Sequence, residues 1–473
     1  MQREETQTCK RPVLFGLLIS LAFCGVESTT FAQTSIPRPP TVPVNLNFLR
    51  VDFIIPGARP SALGGAFIAA AFDETAAVIN PAGLTFLTEP AASLHQRQAR
   101  FEFKEPEGSP DHPNGKKKIT NNSFDQNMVN IVYPFKRFSF STFRQVSVDS
   151  RFNFETRQFL TTEAPLDFQQ KLGGLGNFPG RKVNLSLEVV NNGVAMAFKF
   201  SDNFSFGVSL KISELNINLT ESKFLDPEIT SKSGPVENSV ENLYSVSSLD
   251  RAEPDPSFSF GFLGKLLFDR LFVGGVLNIN PRFAVTNKIF LPEYRLGSLV
   301  FEAAEPENET FFFSIPDTYG LGFYYLASDR LRFSFDLLRI EYSDLLNGND
   351  LNAVEDDVFV PVSGSYIDPD GEPDLTVDDV FEVHLGLEYL VKVPRLGFVP
   401  VRVGFHTDPG HRVYARKNDP DLRRLFPKAI DRVHFTFGLG FILNRNLKID
   451  GSLNYAENGI EFIGSTLITF SFN

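Results

Sequence analysis

Val433-His-Phe435-Thr-Phe437-Gly-Leu439-Gly-Phe441 puts an apolar side chain at each odd position and a small or polar one at each even position. Side chains of an extended strand point alternately to its two faces, so a period of two predicts a strand with one apolar face. The pattern resumes after the turn Asn444-Arg445-Asn446 in Leu447-Lys-Ile449-Asp-Gly451-Ser-Leu453-Asn-Tyr455. It is already present in Phe204-Ser-Phe206-Gly-Val208-Ser-Leu210-Lys-Ile212, Phe381-Glu-Val383-His-Leu385-Gly-Leu387-Glu-Tyr389 and Val399-Pro-Val401-Arg-Val403-Gly-Phe405. A soluble sandwich and a membrane barrel share this pattern. The length of the runs favours the barrel, since roughly 9–11 residues cross a bilayer at a tilt. So do the charges and glycines of the polar face, which suit a wet or plugged lumen. Short turns at Ser201-Asp202-Asn203, Asp269-Arg270, Ser328-Asp329 and Asn444–Asn446 separate long polar connectors at roughly 105–127, 220–256, 290–315, 345–379 and 408–430. Membrane barrels sort periplasmic turns from extracellular loops in this way. The expected fold is all-β: a transmembrane antiparallel β-barrel. It has 14 strands if residues 137–160 and 183–201 are each one strand, and 16 if each run is counted separately.

Composition narrows the function. No run of about 20 apolar residues occurs beyond the N-terminus, which excludes a bundle of transmembrane helices. Aromatic residues make up 13% of the chain, including 50 Phe, and must be buried in protein or lipid. Placed on one strand face, the Phe surplus reads as a lipid-facing belt. The formal charge of −12 argues against nucleic acid as a partner. Cys9 and Cys24 are the two cysteines. Lys10-Arg11, the apolar run from Val13 to Val26, and Thr30-Phe31-Ala32 read as a secretory signal peptide over residues 1–32. A lipoprotein signal through Cys24 would need a small residue where Phe23 stands. The mature chain then has no disulfide, no thiolate metal site and no cysteine nucleophile.

Residues 33–90 read as a Pro-rich arm followed by a compact small-residue segment, and residues 91–473 as the barrel with long extracellular loops. In the segment, Asp73 is a candidate helix N-cap, and Asn80-Pro81 should end that helix, because a residue before proline resists the α region. Gly57-Ala58-Arg59, Gly64-Gly65-Ala66, Asp73 and Asn80-Pro81-Ala82-Gly83-Leu84 resemble the N-terminal motif of the FadL long-chain fatty acid transporter superfamily, which includes PorV-like proteins. The late hairpin Phe435–Phe441 and Leu447–Tyr455 is similar to that superfamily's, and the final aromatic strand with Phe470 and Phe472 resembles an outer-membrane assembly signal. The resemblance implies a 14-stranded barrel in the bacterial outer membrane with Gly64, Gly65, Asp73, Asn80, Pro81, Ala82 and Gly83 in a lumenal hatch. It implies passage of hydrophobic molecules such as long-chain fatty acids, which leave sideways through the wall, with no catalytic centre. A PorV-like role in protein secretion or surface attachment is the other implied function. The partners expected are a hydrophobic small molecule, outer-membrane lipid and the barrel-assembly machinery, around a monomeric barrel.

Individual residues carry further expectations. Leu166, Phe168, Leu172, Leu175 and Phe178, with Phe311, Phe312 and Phe313 beside a second loop, are candidate landing sites for an apolar ligand; plain loop packing is the alternative. Glu382, His384, Glu388, Arg402, His406 and His434 should point into the lumen from three neighbouring strands, as ion-paired filling or as a metal or acid–base site. Ser452 could face the same lumen as a nucleophile, though no local motif singles it out. Asp368, Asp370, Asp374 and Asp378 have calcium-like spacing in an acidic loop but miss the EF-hand template. Ca²⁺ there is the one cofactor considered; otherwise none is expected.

Overall fold

The computed structural model describes residues 51–106, 116–157, 159–161, 176–178, 180–224, 239, 243–249, 252–296, 299–301, 303–346, 375–394, 397–415, 428–444, 446–457 and 459–469. Fourteen antiparallel strands form a closed wall. They are β1 (Ala91–Pro106), β2 (Lys116–Phe135), β3 (Phe138–Thr156), β4 (Gly180–Ser201), β5 (Phe204–Phe224), β6 (Asp255–Leu266) and β7 (Leu271–Ile279). The second half comprises β8 (Thr318–Leu326), β9 (Leu331–Ile340), β10 (Val380–Val393), β11 (Gly397–Asp408), β12 (Arg432–Asn444), β13 (Leu447–Ala456) and β14 (Gly459–Thr469). Each pairs with its chain neighbour. Closure comes from β14 on β1, with Ala91 opposite Thr469 and Phe101 opposite Gly459. A closed wall leaves no unpaired edge, which is the condition for a sheet to sit in hydrocarbon. No described helix is long and apolar enough to cross a membrane.

The strand count follows from two long ladders. Residues 138–156 and 180–201 are each one strand, interrupted by register shifts at Val146/Val148 and Lys199/Ser201 rather than by turns. The expected long connectors are partly strand as well, which corrects their boundaries. Residues 116–127 belong to β2. Residues 243–249, 282–291 and 304–314 form a further ribbon on the long-connector end of β5. Backbone pairing there continues beyond the stretch where one face must be apolar, so the hydrophobic alternation fades before the strand ends.

Alternation sets the two faces. Phe435, Phe437 and Phe441 are exposed on the outer face, while Thr436 is buried on the inner one. Inside, Ala58–Ala62 (α1), Ala76–Ile79 (α2) and a 3₁₀ helix over Pro81–Phe86 fold into a plug. Asp73 does not cap α2: Thr75 is its N-cap, without a side-chain bond. The Asp73 carboxylate instead accepts from Thr75 N and Thr75 Oγ1, bracing the turn before the helix. Helix α2 ends at Ile79 before Asn80-Pro81, as read from the sequence.

Candidate functional site

The plug is built from its small residues. Gly64 and Gly65 adopt φ of 63° and 81°, a left-handed turn that glycine enters without a Cβ penalty. The Asn80 side chain does three things at once. Its Oδ1 accepts from Ala82 N at 3.2 Å and caps the 3₁₀ helix, while its Nδ2 donates to Ile68 O at 2.9 Å and to Phe262 O on the wall at 3.0 Å. Pro81 lacks an N–H, which costs nothing at a helix start. A Cβ on Gly83 would lie 1.9 Å from Ala71 O, so only glycine fits there.

Polar wall side chains hold the plug's backbone from several strands. Ser465 Oγ accepts from Ala58 N (2.7 Å), and Asp336 Oδ2 accepts from Phe67 N and Ile68 N (2.6 and 2.7 Å). Thr436, Ser205 and Ser209 donate to the carbonyls of Ala62, Ala82 and Ala77. Wall glycines admit the plug at contact distance. A Cβ on Gly207 would meet Pro81 C at 2.2 Å and Ala82 N at 2.3 Å. Beneath α1 lies a charged knot. Glu388 is bound by Arg402 Nε at 2.6 Å and Arg332 Nη1 at 2.7 Å, with Arg59 Nε of the plug at 3.5 Å. Arg59 also pairs with Asp73 at 3.2 Å, and Arg402 with Asp450.

Between the plug and the long-connector end lies a cavity of about 280 Å³. Ile54, Ile68, Val78, Ile79, Val276 and Leu338 are its apolar lining, and Lys211, Arg97, Asp149, Glu382 and His406 are among its polar lining. His384, His406 and His434 sit opposite one another on β10, β11 and β12. Their rings stack with centroids 5.1 and 4.2 Å apart. Stacking turns the ring nitrogens sideways, toward separate partners. His384 Nδ1 lies 2.6 Å from Gly64 O, His384 Nε2 lies 3.1 Å from Glu382, and His434 Nδ1 lies 3.1 Å from Asn454. This arrangement braces the plug and does not converge on a metal position.

The segment Val51–Ile55 borders the cavity. Phe53 bridges Val148 on β3, and Ile54 N donates to Ser147 O at 2.9 Å. Asp52 takes His411 Nε2 at 3.1 Å, and Tyr342 stacks on that imidazole at 4.2 Å while its hydroxyl donates to Val51 O. Asp52, Asp408 and His411 are close enough for a shared ion. The carboxylates lie against opposite nitrogens of His411, however, and Arg432 Nη2 already sits 2.6 Å from Asp408. Burial opposes charge on His411, but the hydrogen bonds to Asp408 and Asp52 outweigh it and raise the group to about 9. A raised folded value stabilises the clamp fully below the unfolded value near 6.5, and that support is lost as pH rises through about 9. The shift corresponds to about 3 kcal/mol of local stability at most. Thiol-reagent labelling of Phe53→Cys should therefore accelerate between pH 7 and 10, and His411→Asn should flatten that rise. Equal slopes in both proteins would exclude the clamp.

A family model described as outer membrane protein transport protein (OMPP1/FadL/TodX) matches residues 53–357, spanning the plug and more than half of the wall. The chain belongs to this family. Several solved structures are similar to the chain in fold. A crystal structure of a Pseudomonas aeruginosa FadL homologue aligns with TM-score 0.58 and 17% identity, covering 89% of this chain and 100% of that one. The CymD monoaromatic hydrocarbon channel aligns at 0.52 and 15%, over 88% and 97%. The Ralstonia pickettii toluene transporter TbuX aligns at 0.51 and 14%, over 90% and 100%. At these identities the likeness shows the shared fold. No curated protein sequence matches the chain. As a FadL-family barrel it is an outer-membrane transport protein.

Within this FadL-family barrel, the residues singled out from sequence separate. Glu382, His384, His406 and His434 line the cavity. Glu388 and Arg402 belong to the knot around Arg59. Ser452 is buried in the lumen with no histidine bound to it, and its Oγ has no hydrogen-bond partner. Phe312 and Phe313 are on a strand, not in a loop, which corrects their placement. Consecutive strand residues face opposite ways, so Phe312 is exposed under Arg282 while Phe313 is buried in the interior. They cannot form one landing site. Phe311 and Phe178 lie on strands, and their side chains are outside the described set. Leu166, Phe168, Leu172, Leu175, Asp368, Asp370 and Asp374, like the signal peptide, lie outside the described residues. Asp378 is engaged by Lys428 at 2.9 Å and Tyr414 at 2.8 Å. Sequence reading passed over Lys211, Asp336, Asp52 and His411. The phase of β5 marks Lys211 as lumenal, but nothing local distinguishes it from an ion-paired lysine.

Proposed function

We propose that this barrel conducts hydrophobic molecules bearing an acidic headgroup, such as long-chain fatty acids, across the outer membrane by passive diffusion. One observation carries the reading: among the described residues, Lys211 is a cavity-lining lysine with no carboxylate partner. Arg97 is held by Glu461 and Asp149, and Arg151 by Asp125 and Asp149. Among the described residues, Lys211 Nζ donates to Ser259 Oγ alone, at 3.0 Å. Ile68, Val78, Ile79 and Val276 line the same cavity. A cation in a cavity with apolar lining suits a carboxylate with a hydrocarbon tail.

Lys211 also borders an outward-facing groove of about 730 Å³ lined by Ile131, Val194, Leu210, Ile212 and Phe258. Gly193 lies between groove and cavity, where a Cβ would meet Phe143 Cζ at 2.6 Å and Lys211 Cγ at 3.0 Å. A role in protein export would call for an external docking surface, and no observation favours it over the lumenal cavity.

The test is uptake by cells carrying or lacking the gene, with labelled oleate and labelled toluene. Lys211→Met should lower oleate uptake about tenfold, the worth of one charge-assisted hydrogen bond, and leave toluene unchanged. An unchanged oleate rate would remove the acid specificity. Wild-type uptake of both no faster than the deletion strain would remove the transport reading itself.

A further inference from the structure

The turn between β6 and β7 departs from the other described short turns. Leu267, Phe268 and Asp269 all have positive φ, 49°, 54° and 67°, and Arg270 N closes the turn onto Leu267 O at 3.2 Å. Left-handed positions in a hairpin turn favour Gly, Asn and Asp, and bulky side chains there are strained. Yet this turn presents Leu267 at 63% and Phe268 at 99% exposure. Its neighbours are polar at the same level. Lys265 N bonds to Asn203 O beside Asp202, and Leu326 N bonds to Arg270 O beside Ser328-Asp329-Arg330.

Soluble surfaces do not hold two strained, fully presented apolar side chains without a partner. The partner's chemistry follows from what surrounds them. The turn continues the outer face of the wall, where Leu266, Phe200, Phe206 and Phe260 are exposed. That face is the lipid-facing one. Arg270 and Arg330 stand on the same rim, the side of short turns that faces the periplasm, with Lys199 and Lys265, which pair with Asp202 and Asp269 at 2.9 and 3.2 Å. Cations flanking an aromatic tip match the boundary between phosphate headgroups and acyl chains.

We infer that the Leu267–Phe268 turn is an anchor seated in the periplasmic leaflet, among phospholipid headgroups and the first carbons of their chains. This is independent of what the barrel carries. The chain holds no tryptophan, so Phe268→Trp supplies a single reporter in the full-length protein. The protein is reconstituted in vesicles of phosphatidylethanolamine and phosphatidylglycerol, with or without bromine on the acyl chains near the headgroup. Blue-shifted emission, at least halved by the brominated lipid and little affected by iodide, is the expected result. Emission quenched by iodide and untouched by bromine would place the turn in water and overturn the inference. Blue-shifted emission quenched by neither would place it against protein, a second copy or a periplasmic partner, and would overturn it equally. Leu267→Trp gives the same readings should the Phe268→Trp barrel fail to assemble.

Discussion

Gly207→Val should unseat the plug and convert a closed barrel into a conducting one. A Cβ at this position falls 2.2 Å from Pro81 C and 2.3 Å from Ala82 N, both backbone atoms of the Asn80–Gly83 block. A flexible side chain could move aside, whereas the block is fixed by Asn80 to Ile68 and Phe262 and by Ser205 to Ala82 O. The strain exceeds the roughly 1–3 kcal/mol of ordinary overpacking, because backbone must shift. In planar bilayers the variant should show a steady current at least tenfold above wild type. Gly451→Val is the matched control, since its nearest neighbour is a Phe462 ring atom at 3.7 Å. Equal currents from the two valine variants would show that close approach at Gly207 does not hold the plug. Gly207→Ala carries the same Cβ and serves if the valine barrel does not assemble.

Glu388→Leu should cause the largest loss of stability among single changes in the lumen. The carboxylate is 2% exposed and compensates Arg402, Arg332 and Arg59 together. Removing it leaves Arg332 without its carboxylate, and Arg402 and Arg59 with Asp450 and Asp73 alone to balance them. Breaking a buried ion pair from one side costs about 3–5 kcal/mol. Urea titration of the reconstituted barrel, followed by the heat-sensitive mobility shift on gels, should report that loss. Adding Arg332→Met should recover part of it, because Glu388 is the carboxylate that Arg332 pairs with among the described residues. A loss below about 1 kcal/mol, or no recovery in the double variant, would mean that water reaches the knot and screens it.

Much of this was legible from residue order. Alternation in Val433–Phe441 marked both the strand and its lipid face, because strand geometry links neighbouring side chains to opposite sides wherever the strand lies. Asn80-Pro81 marked the end of α2, a constraint carried by the proline ring alone. The assignment of Asp73 as a helix cap failed because its carboxylate could serve either the turn or the helix, and Thr75 and Arg59 decided between them. By sequence Phe311, Phe312 and Phe313 are candidate landing residues in or beside a loop. Pairing with Phe283, Ala284 and Val285 made them a strand and split their faces. The significance of Lys211 could not be read at all, since it rests on which carboxylates are taken by other cations.

The amino-acid order by itself determined the alternating strands, their two faces and the compact small-residue segment, whose place as a lumenal plug was implied by the family resemblance. These depend on periodicity, on proline and glycine chemistry, and on neighbours a few residues apart. The tertiary structure decided the contents of the lumen: Asp336 beneath Phe67, Asp52 against His411, and Lys211 left beside Ser259 alone. Those partners lie tens to hundreds of residues apart, and closure of the barrel brings them together. Ion pairing and desolvation depend on distance in space, which residue order does not specify.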